Sequence, residues 1–541
     1  MITTNEVLGA LNPDDVASTS VLKGANAAAL YGSQASNGAL IITTKKGSAG
    51  TSQVTFSHTS QFESISFLPK FQTEFGNGSP DFFTNSGATP FTTDNSVDQN
   101  YEHQYQGFEN QQYGPRFDGS LRPYGYVLPD GTTQMLTYEA RPNERKNFFN
   151  TGYQTQNGVS FSGGDEKTKF FASYQNLHNN GIMPKDKFDR NSFRFNASRD
   201  FGRLNVGFNV AYINRQSDVT ANLDQNTSVY WNVFNTSVMA PLTQYKDYEN
   251  DKYSNSNYGY YNAYYYNPYF VLDYNRLRDK RNTLQGDINA SFKVYDWLRL
   301  QYRIGTTTTS QQSLTTQNKF TLAGDSPKQI APYSGFFRDR NTSLTRVNSD
   351  LFITADKTFG DINVKAIVGN NVQLLDSRYN EIASTALAVP APTEQINLSN
   401  RIGNLDGFSG RFQTRLYAFY ADLTLGYKDF LFVHGSGRYD NVSVLEKGNR
   451  SFFYPGVDAS FVFSNAIPAL KDVSFLDYGK LRGGYTLVSQ INLTSATGIG
   501  VAETGGGLFF IAYLFERRWL SFRVEPFVHG QWRLGAKQPA A

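Results

Sequence analysis

Histidines and carboxylates are the side chains of this chain that could carry out acid–base or metal chemistry. The five histidines all lie more than five residues apart: His58, His103, His178, His434 and His529. That spacing forms neither an HExxH helix nor a local metal pair, so isolated surface or interior histidines are the favoured interpretation. The sequence also contains no GxxxxGK[ST] phosphate loop and no GxSxG nucleophile turn.

Acidic residues gather at two places. We expect Asp14 and Asp15 to cap the turn that follows them rather than to exchange protons. Asp247, Glu249 and Asp251 could bind Ca²⁺, but their spacing is not that of an EF-hand, and a solvated loop is favoured. The chain has no Cys, which excludes disulfides, thiolate metal sites and cysteine nucleophiles. The sequence therefore predicts no enzyme, no metal site and no cofactor.

Composition favours strands and turns. The 541 residues include 50 Lys and Arg against 47 Asp and Glu, which gives a net charge of +3. A charge this small does not indicate a basic surface that binds nucleic acid. With 43 Phe and 34 Tyr but only 18% charged residues, the polarity comes mainly from uncharged side chains. The longest apolar run, 508–515, is too short for a membrane helix. We expect no signal peptide, because MITTNEVLGALNPDD has neither a basic nor an apolar region of that kind.

Apolar and polar residues alternate at period two in most segments after residue 51. Leu204, Val206 and Phe208, for example, share one face, with Asn205 and Gly207 between them. Thirteen candidate strands follow from this pattern: 53–62, 157–163, 167–177, 191–199, 204–212, 286–295, 298–304, 347–359, 362–375, 417–427, 429–440, 453–463 and 480–488. We assign the apolar face outward, because the other face carries Arg, Lys, Asn and Gln.

The connections between these strands alternate in length. Short turns are expected at 163–166, 200–203, 295–297, 359–361 and 427–429. Long connections are expected near 63–156, 178–190, 213–285, 305–346, 376–410 and 441–452. This layout is typical of an outer-membrane barrel. A large secreted β protein also alternates apolar and polar residues, so it stays open as an alternative.

Several motifs resemble SusC/RagA-like TonB-dependent outer-membrane receptors. The segment VLKGANAAALYGSQASNGALIITTKKG, which follows NPDD, resembles the end of their plug domain, and YGPRFDG (113–119), NPYF (267–270) and GRYDNVS (437–443) resemble later segments. The family's acidic residue near Thr19 and its Arg at Gln34 are absent. The resemblance assigns eight positions to the plug motif: Asp14, Asp15, Lys23, Gly24, Tyr31, Gly32, Asn37 and Gly38.

The resemblance implies an all-β fold. We expect a partial antiparallel transmembrane barrel with about 13 of roughly 22 strands, preceded by the C-terminal piece of an α+β plug with a helix over 25–31 and a strand over 40–44. The expected boundaries are plug 1–50, partial barrel 51–492 and an atypical tail 493–541. The tail contains neither Asn nor Asp and loses the family likeness, which favours a frameshifted or foreign segment on a fragment.

The resemblance also implies a function. Such a protein would import glycans, oligosaccharides or peptides across the lipid of a Gram-negative outer membrane. Its expected partners are a SusD-like lipoprotein and the TonB–ExbB–ExbD complex, and no nucleic acid. The alternatives are a siderophore- or cobalamin-type receptor, a secreted β-rich adhesin or glycan-binding protein, and a glycan-degrading enzyme.

The stretch YGYYNAYYYNPYF at 258–270 is the candidate contact with ligand or partner. Tyrosine rings can stack on sugar faces, and their hydroxyls can form hydrogen bonds. The membrane-interface belt and packing between loops are the competing interpretations. The proposed contact residues are Tyr264, Tyr265 and Tyr266, followed by Tyr260 and Tyr261.

Overall fold

A computed structural model of the chain describes most of its residues. The described ranges are 12–22, 39–50, 52–80, 97–98, 103–390, 396–397, 399–470, 478–491 and 514–527. The expected helix over 25–31 lies outside them, as do the plug-motif residues Lys23, Gly24, Tyr31, Gly32, Asn37 and Gly38.

A single antiparallel sheet of fourteen strands, here called the wall, contains most of the strand residues. Each strand pairs with its neighbours in sequence order, apart from the long excursion between the first two. The strands are β3 (Gln53–Glu63), β9 (Gly152–Gly164), β10 (Thr168–Asn180), β11 (Lys187–Asp200), β12 (Leu204–Thr220), β13 (Asn275–Tyr295), β14 (Leu298–Gln317), β15 (Phe336–Phe359), β16 (Ile362–Ser384), β17 (Asp406–Tyr427), β18 (Leu431–Val442), β19 (Ser451–Phe461), β20 (Tyr478–Ile491) and β21 (Leu514–Phe527).

The two faces of the wall differ in polarity, as the alternation predicts. Phe193, Tyr212 and Leu284 lie on the outer face and are 46%, 46% and 47% exposed. Arg194 and Asp350 lie on the opposite, inner face and are buried. Since side chains alternate along a strand, one face can meet an apolar surrounding while the other meets polar groups. Within the described residues, no helix is both long and apolar enough to cross a bilayer.

Short and longer connections alternate from β3 to β19, so within that range the longer ones lie at one end of the wall. The turn end carries the tight connections after β9, β11, β13, β15 and β17, and the loop end carries those after β3, β10, β12, β14, β16 and β18. The connection after β19 is longer and contains a helix, Phe463–Ala466, and a 3-10 helix, Pro468–Leu470.

Several strands are longer than the alternation indicated. The expected strand at 286–295 is Asn275–Tyr295, and the expected strand at 298–304 is Leu298–Gln317. The connection expected at 213–285 therefore shortens to 221–274. The reason is that polar residues occupy both faces of the added segments, as in TTTTSQQS at 306–313. Backbone pairing continues there after the period-two signal has ended.

The sequence pattern missed β21. All thirteen expected strands are present, and Leu514–Phe527 adds a fourteenth that pairs with β20. The sequence predicts no strand there, because 514–527 lies in the segment assigned to the atypical tail. The origin of that tail, and the boundary at 492, stay predictions.

A two-stranded sheet, here called the plug piece, lies against the inner face of the wall. It consists of the 3-10 helix Pro13–Asp15, β1 (Val16–Leu22) and β2 (Ala39–Thr44). The strand expected over 40–44 is thus confirmed. Asn12 begins the helix, since its side chain accepts a hydrogen bond from the backbone of Asp14 at 3.0 Å.

The connections at 64–151 and 221–274 fold together at the loop end. They contribute five short strands: β4 (Gly78–Pro80), β5 (Val97–Asp98), β6 (His103–Tyr105), β7 (Leu121–Tyr124) and β8 (Gln134–Thr137). They also contain the helices Glu144–Asn147, Val229–Phe234 and Pro268–Tyr274 and the 3-10 helix Leu242–Lys246. Among the described residues, buried aromatic side chains hold these elements together in three clusters, around Phe270, Tyr261 and Tyr126.

Candidate functional site

The tyrosine stretch divides into buried and accessible residues. Tyr260, Tyr261 and Tyr266 are 1%, 0% and 2% exposed, whereas Tyr264 is 37% exposed and Tyr265 is half-buried. The first three cannot touch a ligand in this conformation. For Tyr260, Tyr261 and Tyr266 the burial favours the competing interpretation, packing between loops.

The packing of the buried three explains their position. The ring of Tyr261 stacks on Tyr124 at 4.5 Å, and its hydroxyl accepts a hydrogen bond from the backbone of Ser237 at 2.6 Å. The ring of Tyr266 lies 4.6 Å from that of Tyr333, in the connection at 318–335. Each tyrosine thus joins loop segments far apart in sequence, and buried rings of this kind supply most of the loops' cohesion.

Tyr264 is partly accessible to solvent, and its hydroxyl forms a hydrogen bond with a buried carboxyl group. That hydroxyl donates to Glu109 Oε1 at 3.0 Å, and Glu109 is 5% exposed. Burial raises the pKa of Glu109, and burial together with the nearby carboxylate raises the pKa of Tyr264 to about 12. Asn262 orients both accessible tyrosines, since its Oδ1 accepts from the backbone of Tyr264 and Tyr265 at 2.8 and 3.0 Å.

A buried lysine fastens the tyrosine stretch to the neighbouring loop. Lys328 Nζ donates to the carbonyl oxygens of Tyr260 and Asn262, the latter at 3.0 Å. Burial lowers the pKa of Lys328 to about 7. No sequence pattern indicates this contact, because the lysine is 66 residues or more from its acceptors.

Asp15 does not cap the turn that follows it, contrary to the expectation. Its Oδ2 lies 3.1 Å from Arg194 Nε, and its Oδ1 accepts from the hydroxyl of Ser173 at 2.7 Å. Both partners are on the inner face of the wall. Asp15 is thus a contact between the plug piece and the wall.

Asp14 also binds the wall rather than capping a turn. Its Oδ2 accepts from Gln175 at 2.8 Å, from Gln156 at 3.2 Å and, more weakly, from Ser57 at 3.4 Å. Asn196 adds a bond to the backbone oxygen of Lys45 at 2.9 Å. Asn12 takes the capping role expected of the carboxylates, which leaves them free to reach four strands.

The other candidate groups have ordinary local roles. Asp247 Oδ1 accepts from Asn250 at 2.9 Å, and Asp251 accepts from the hydroxyl of Ser254. Arg303 pairs with Asp350 on the inner face at 3.0 Å. Among the described residues, no three His, Cys, Asp or Glu side chains gather in an arrangement that could hold a metal ion.

One histidine has a setting that the sequence did not indicate. The ring of His434 lies between Asp422 and Asp458, with nitrogen–oxygen distances of 2.7 and 2.6 Å. The three residues come from three adjacent strands. The pattern becomes visible only once the register is known, because His434 directly faces Asp458 on β19.

The chain is similar to TonB-dependent receptors. No family model matches it. It is 29% identical to the TonB-dependent receptor SusC of Bacteroides thetaiotaomicron over 203 residues, 38% of this chain and 16% of SusC. It is 22% identical to the TonB-dependent receptor P26 of Formosa agariphila over 476 residues, 86% of this chain and 42% of P26. The chain thus spans less than half the length of these curated relatives.

Solved structures show the same fold. The RagAB peptide importer in its open-open state superposes with a TM-score of 0.65 at 18% identity, covering 96% of this chain and 55% of that one. A second structure, of the RagAB peptide transporter, gives a TM-score of 0.64 at 17% identity and covers 91% and 53%. At these identities the likeness shows the fold alone.

Proposed function

We propose that this chain, a SusC/RagA-like TonB-dependent receptor sequence, is part of an outer-membrane transporter that imports oligosaccharides or peptides. The observation that carries the proposal is the buried contact between Asp15 and Arg194. A plug segment held against the inner face of a β wall is the arrangement that a gated channel requires. The apolar outer face of the wall suits contact with membrane lipid.

The remaining partners follow from the same proposal. A SusD-like lipoprotein would cover the loop end, and the TonB–ExbB–ExbD complex would supply the energy that displaces the plug. Ligand would approach from the loop end, because the plug piece precedes β3 and the turn end would face the periplasm. Transport makes and breaks no covalent bond, so the proposal needs no catalytic residue. We place the ligand contact of this chain on Tyr264 and Tyr265.

Topology and uptake can be tested on whole cells that make the full-length receptor. An epitope tag inserted near residue 260 should be reachable by antibody on intact cells. Uptake of labelled oligomers should require both the receptor and TonB. A tag that becomes reachable only after lysis would invert the topology, and uptake of ferric siderophore or cobalamin instead of oligomers would favour that receptor class.

Substitutions of Tyr264 and Tyr265 test the proposed ligand contact. Tyr264→Ala with Tyr265→Ala should weaken oligomer binding or association with the lid by roughly tenfold, because one aromatic contact is worth about 1 kcal/mol or more. Tyr230→Ala serves as a control, since Tyr230 is another exposed loop tyrosine, 47% accessible. If the double variant binds ligand and lid as the wild type does, both tyrosines serve only to pack the loops.

A further inference from the structure

Three arginines lie directly opposite one another on neighbouring strands of the wall. The Cα register pairs Arg190 of β11 with Arg215 of β12, and Arg215 with Arg281 of β13. Directly paired residues have Cβ atoms about 5 Å apart on the same face of a sheet. The three side chains therefore form a continuous row, here called the arginine row.

The arginine row belongs to the inner face and lies toward the loop end. Arg190 is buried between half-buried Asp189 and Asn191, and it shares its parity with buried Arg194. It lies three positions after Lys187, where β11 begins, and the connection before β11, residues 181–186, lies at the loop end. A ligand that enters from the loop end would meet the row before it meets the plug piece.

Repulsion acts along the row. The charge of Arg215 opposes that of Arg190, and the charge of Arg281 opposes that of Arg215. Like charges directly opposite one another destabilise a sheet. The carboxylates of Asp14 and Asp15 attract Arg190, and that of Asp279 attracts Arg215 while also accepting a hydrogen bond from Gln311 at 2.6 Å.

The guanidinium group of Arg190 has one N–H donor without an acceptor among the described residues. Arg190 is 8% exposed, and its buried Nε forms no hydrogen bond with the residues that the structure describes. Its other end donates to Gln175 Oε1 at 2.6 Å, and Gln175 in turn donates to Asp14 at 2.8 Å. Arg215 is half-buried and packs over the ring of Phe188 at 5.4 Å.

We propose that the arginine row is a subsite for an anionic group, a carboxylate or a sulfate, on the imported oligomer. The inference rests on the proposed function and adds a substrate class to it. A planar guanidinium offers paired donors that match these anions. An anion placed between two opposed arginines relieves their repulsion and fills the donor left on Arg190. Through Gln175, the same event reaches Asp14 of the plug piece.

Inorganic sulfate is the first probe, applied to the purified full-length receptor in detergent at constant ionic strength. Sulfate should raise the melting temperature of the wild type more than chloride does. Arg215→Gln should lose this difference and, without sulfate, should melt no lower than the wild type, because a like charge has been removed. Lys280→Gln is the matched control, since Lys280 precedes Arg281 on the same strand but lies on the outer face. It should keep the full sulfate effect.

Titration with oligomers then identifies the source of the anion. A hexagalacturonate is compared with its neutral methyl ester, and a glutamate-rich hexapeptide with its glutamine counterpart. At least one acidic oligomer should bind tenfold or more tightly than its neutral partner, and Arg215→Gln should remove that preference. A sulfate effect that survives Arg215→Gln, or no preference for either acidic oligomer, would overturn the subsite. TonB-dependent uptake by whole cells that make the receptor tests the proposed function separately.

Discussion

Arg194 and Asp15 form a buried ion pair that joins two parts of the chain 179 residues apart. Arg194 Nε lies 3.1 Å from Asp15 Oδ2, and the side chains are only 4% and 5% exposed. Removing one partner of such a pair leaves an uncompensated buried charge, which is far more costly than losing a surface pair. The pair therefore makes the position of the plug piece on the wall specific, and displacing the plug piece must break it.

The first prediction concerns this pair. In the full-length receptor, Arg194→Ala should weaken the attachment of the plug piece by about 3–5 kcal/mol, because the Asp15 carboxylate stays buried without its partner. Hydrogen exchange of the backbone amides in Val16–Leu22 should speed up accordingly. Lys185→Ala is the control, since Lys185 forms a more exposed pair with Asp273, and it should change exchange by less than about 1 kcal/mol. Equal exchange in all three proteins would mean that other contacts hold the plug piece.

The second prediction concerns pH and Lys328. Its pKa is about 7 in the folded loops and about 10.4 in an unfolded chain. Between these values the unfolded state binds more protons. The stability of the packed loops at 64–151, 221–274 and 318–335, here called the loop cluster, should therefore rise as pH increases from about 7 to 10.4 and should be flat below 7. The slope is at most about 1.4 kcal/mol per pH unit. Hydrogen exchange in the loop segments, corrected for the intrinsic effect of pH, measures it.

Lys328→Met should abolish that slope, because the titrating amine is gone. Lys319→Met is a matched control: Lys319 lies in the same connection and also donates to two carbonyl oxygens, those of Leu387 and Ala388, each at 3.0 Å. The slope should persist in this variant. A slope that survives Lys328→Met must come from another group.

The third prediction uses a close approach of two backbones. Gly259 begins the run of buried tyrosines, and a Cβ atom there would collide with the backbone carbonyl of Lys252. Gly259→Ala should therefore displace Tyr260 and Tyr261 and destabilise the loop cluster by about 1–3 kcal/mol, seen as faster proteolysis of the loops on intact cells. Gly324→Ala should have little effect, since nothing lies within 4 Å of its added Cβ. Matching proteolysis rates for the two variants would contradict the observed packing.

The fourth prediction concerns Tyr264 and Glu109. Tyr264→Phe removes the hydroxyl that donates to the buried carboxyl at 3.0 Å. The loops should lose about 1–3 kcal/mol at a pH where the carboxylate is charged, and less at an acidic pH where it is protonated. Thermal melting at both pH values measures the difference. Glu109→Gln with Tyr264→Phe should lose this pH dependence, whereas an equal loss at the two pH values would show that Glu109 is neutral throughout.

The sequence by itself determined the class of the fold and the order of its strands. Alternation along segments such as 204–212 is a local signal, and it located thirteen of the fourteen wall strands and the polarity of both faces. Turn chemistry located the turn end, because tight turns need particular residues such as Gly202, which has a φ of 81°. Where polar residues covered both faces, as at 306–313, the local signal ended and the strand did not.

Only the tertiary structure decided which residues meet. The contact of Asp15 with Arg194, and the row formed by Arg190, Arg215 and Arg281, depend on register and on the position of the plug piece over the wall. The tyrosine stretch shows the same limit, since neighbours with identical side chains separate into buried Tyr266 and accessible Tyr264. A side chain's burial depends on what the rest of the chain places over it, and no spacing within the stretch carries that information.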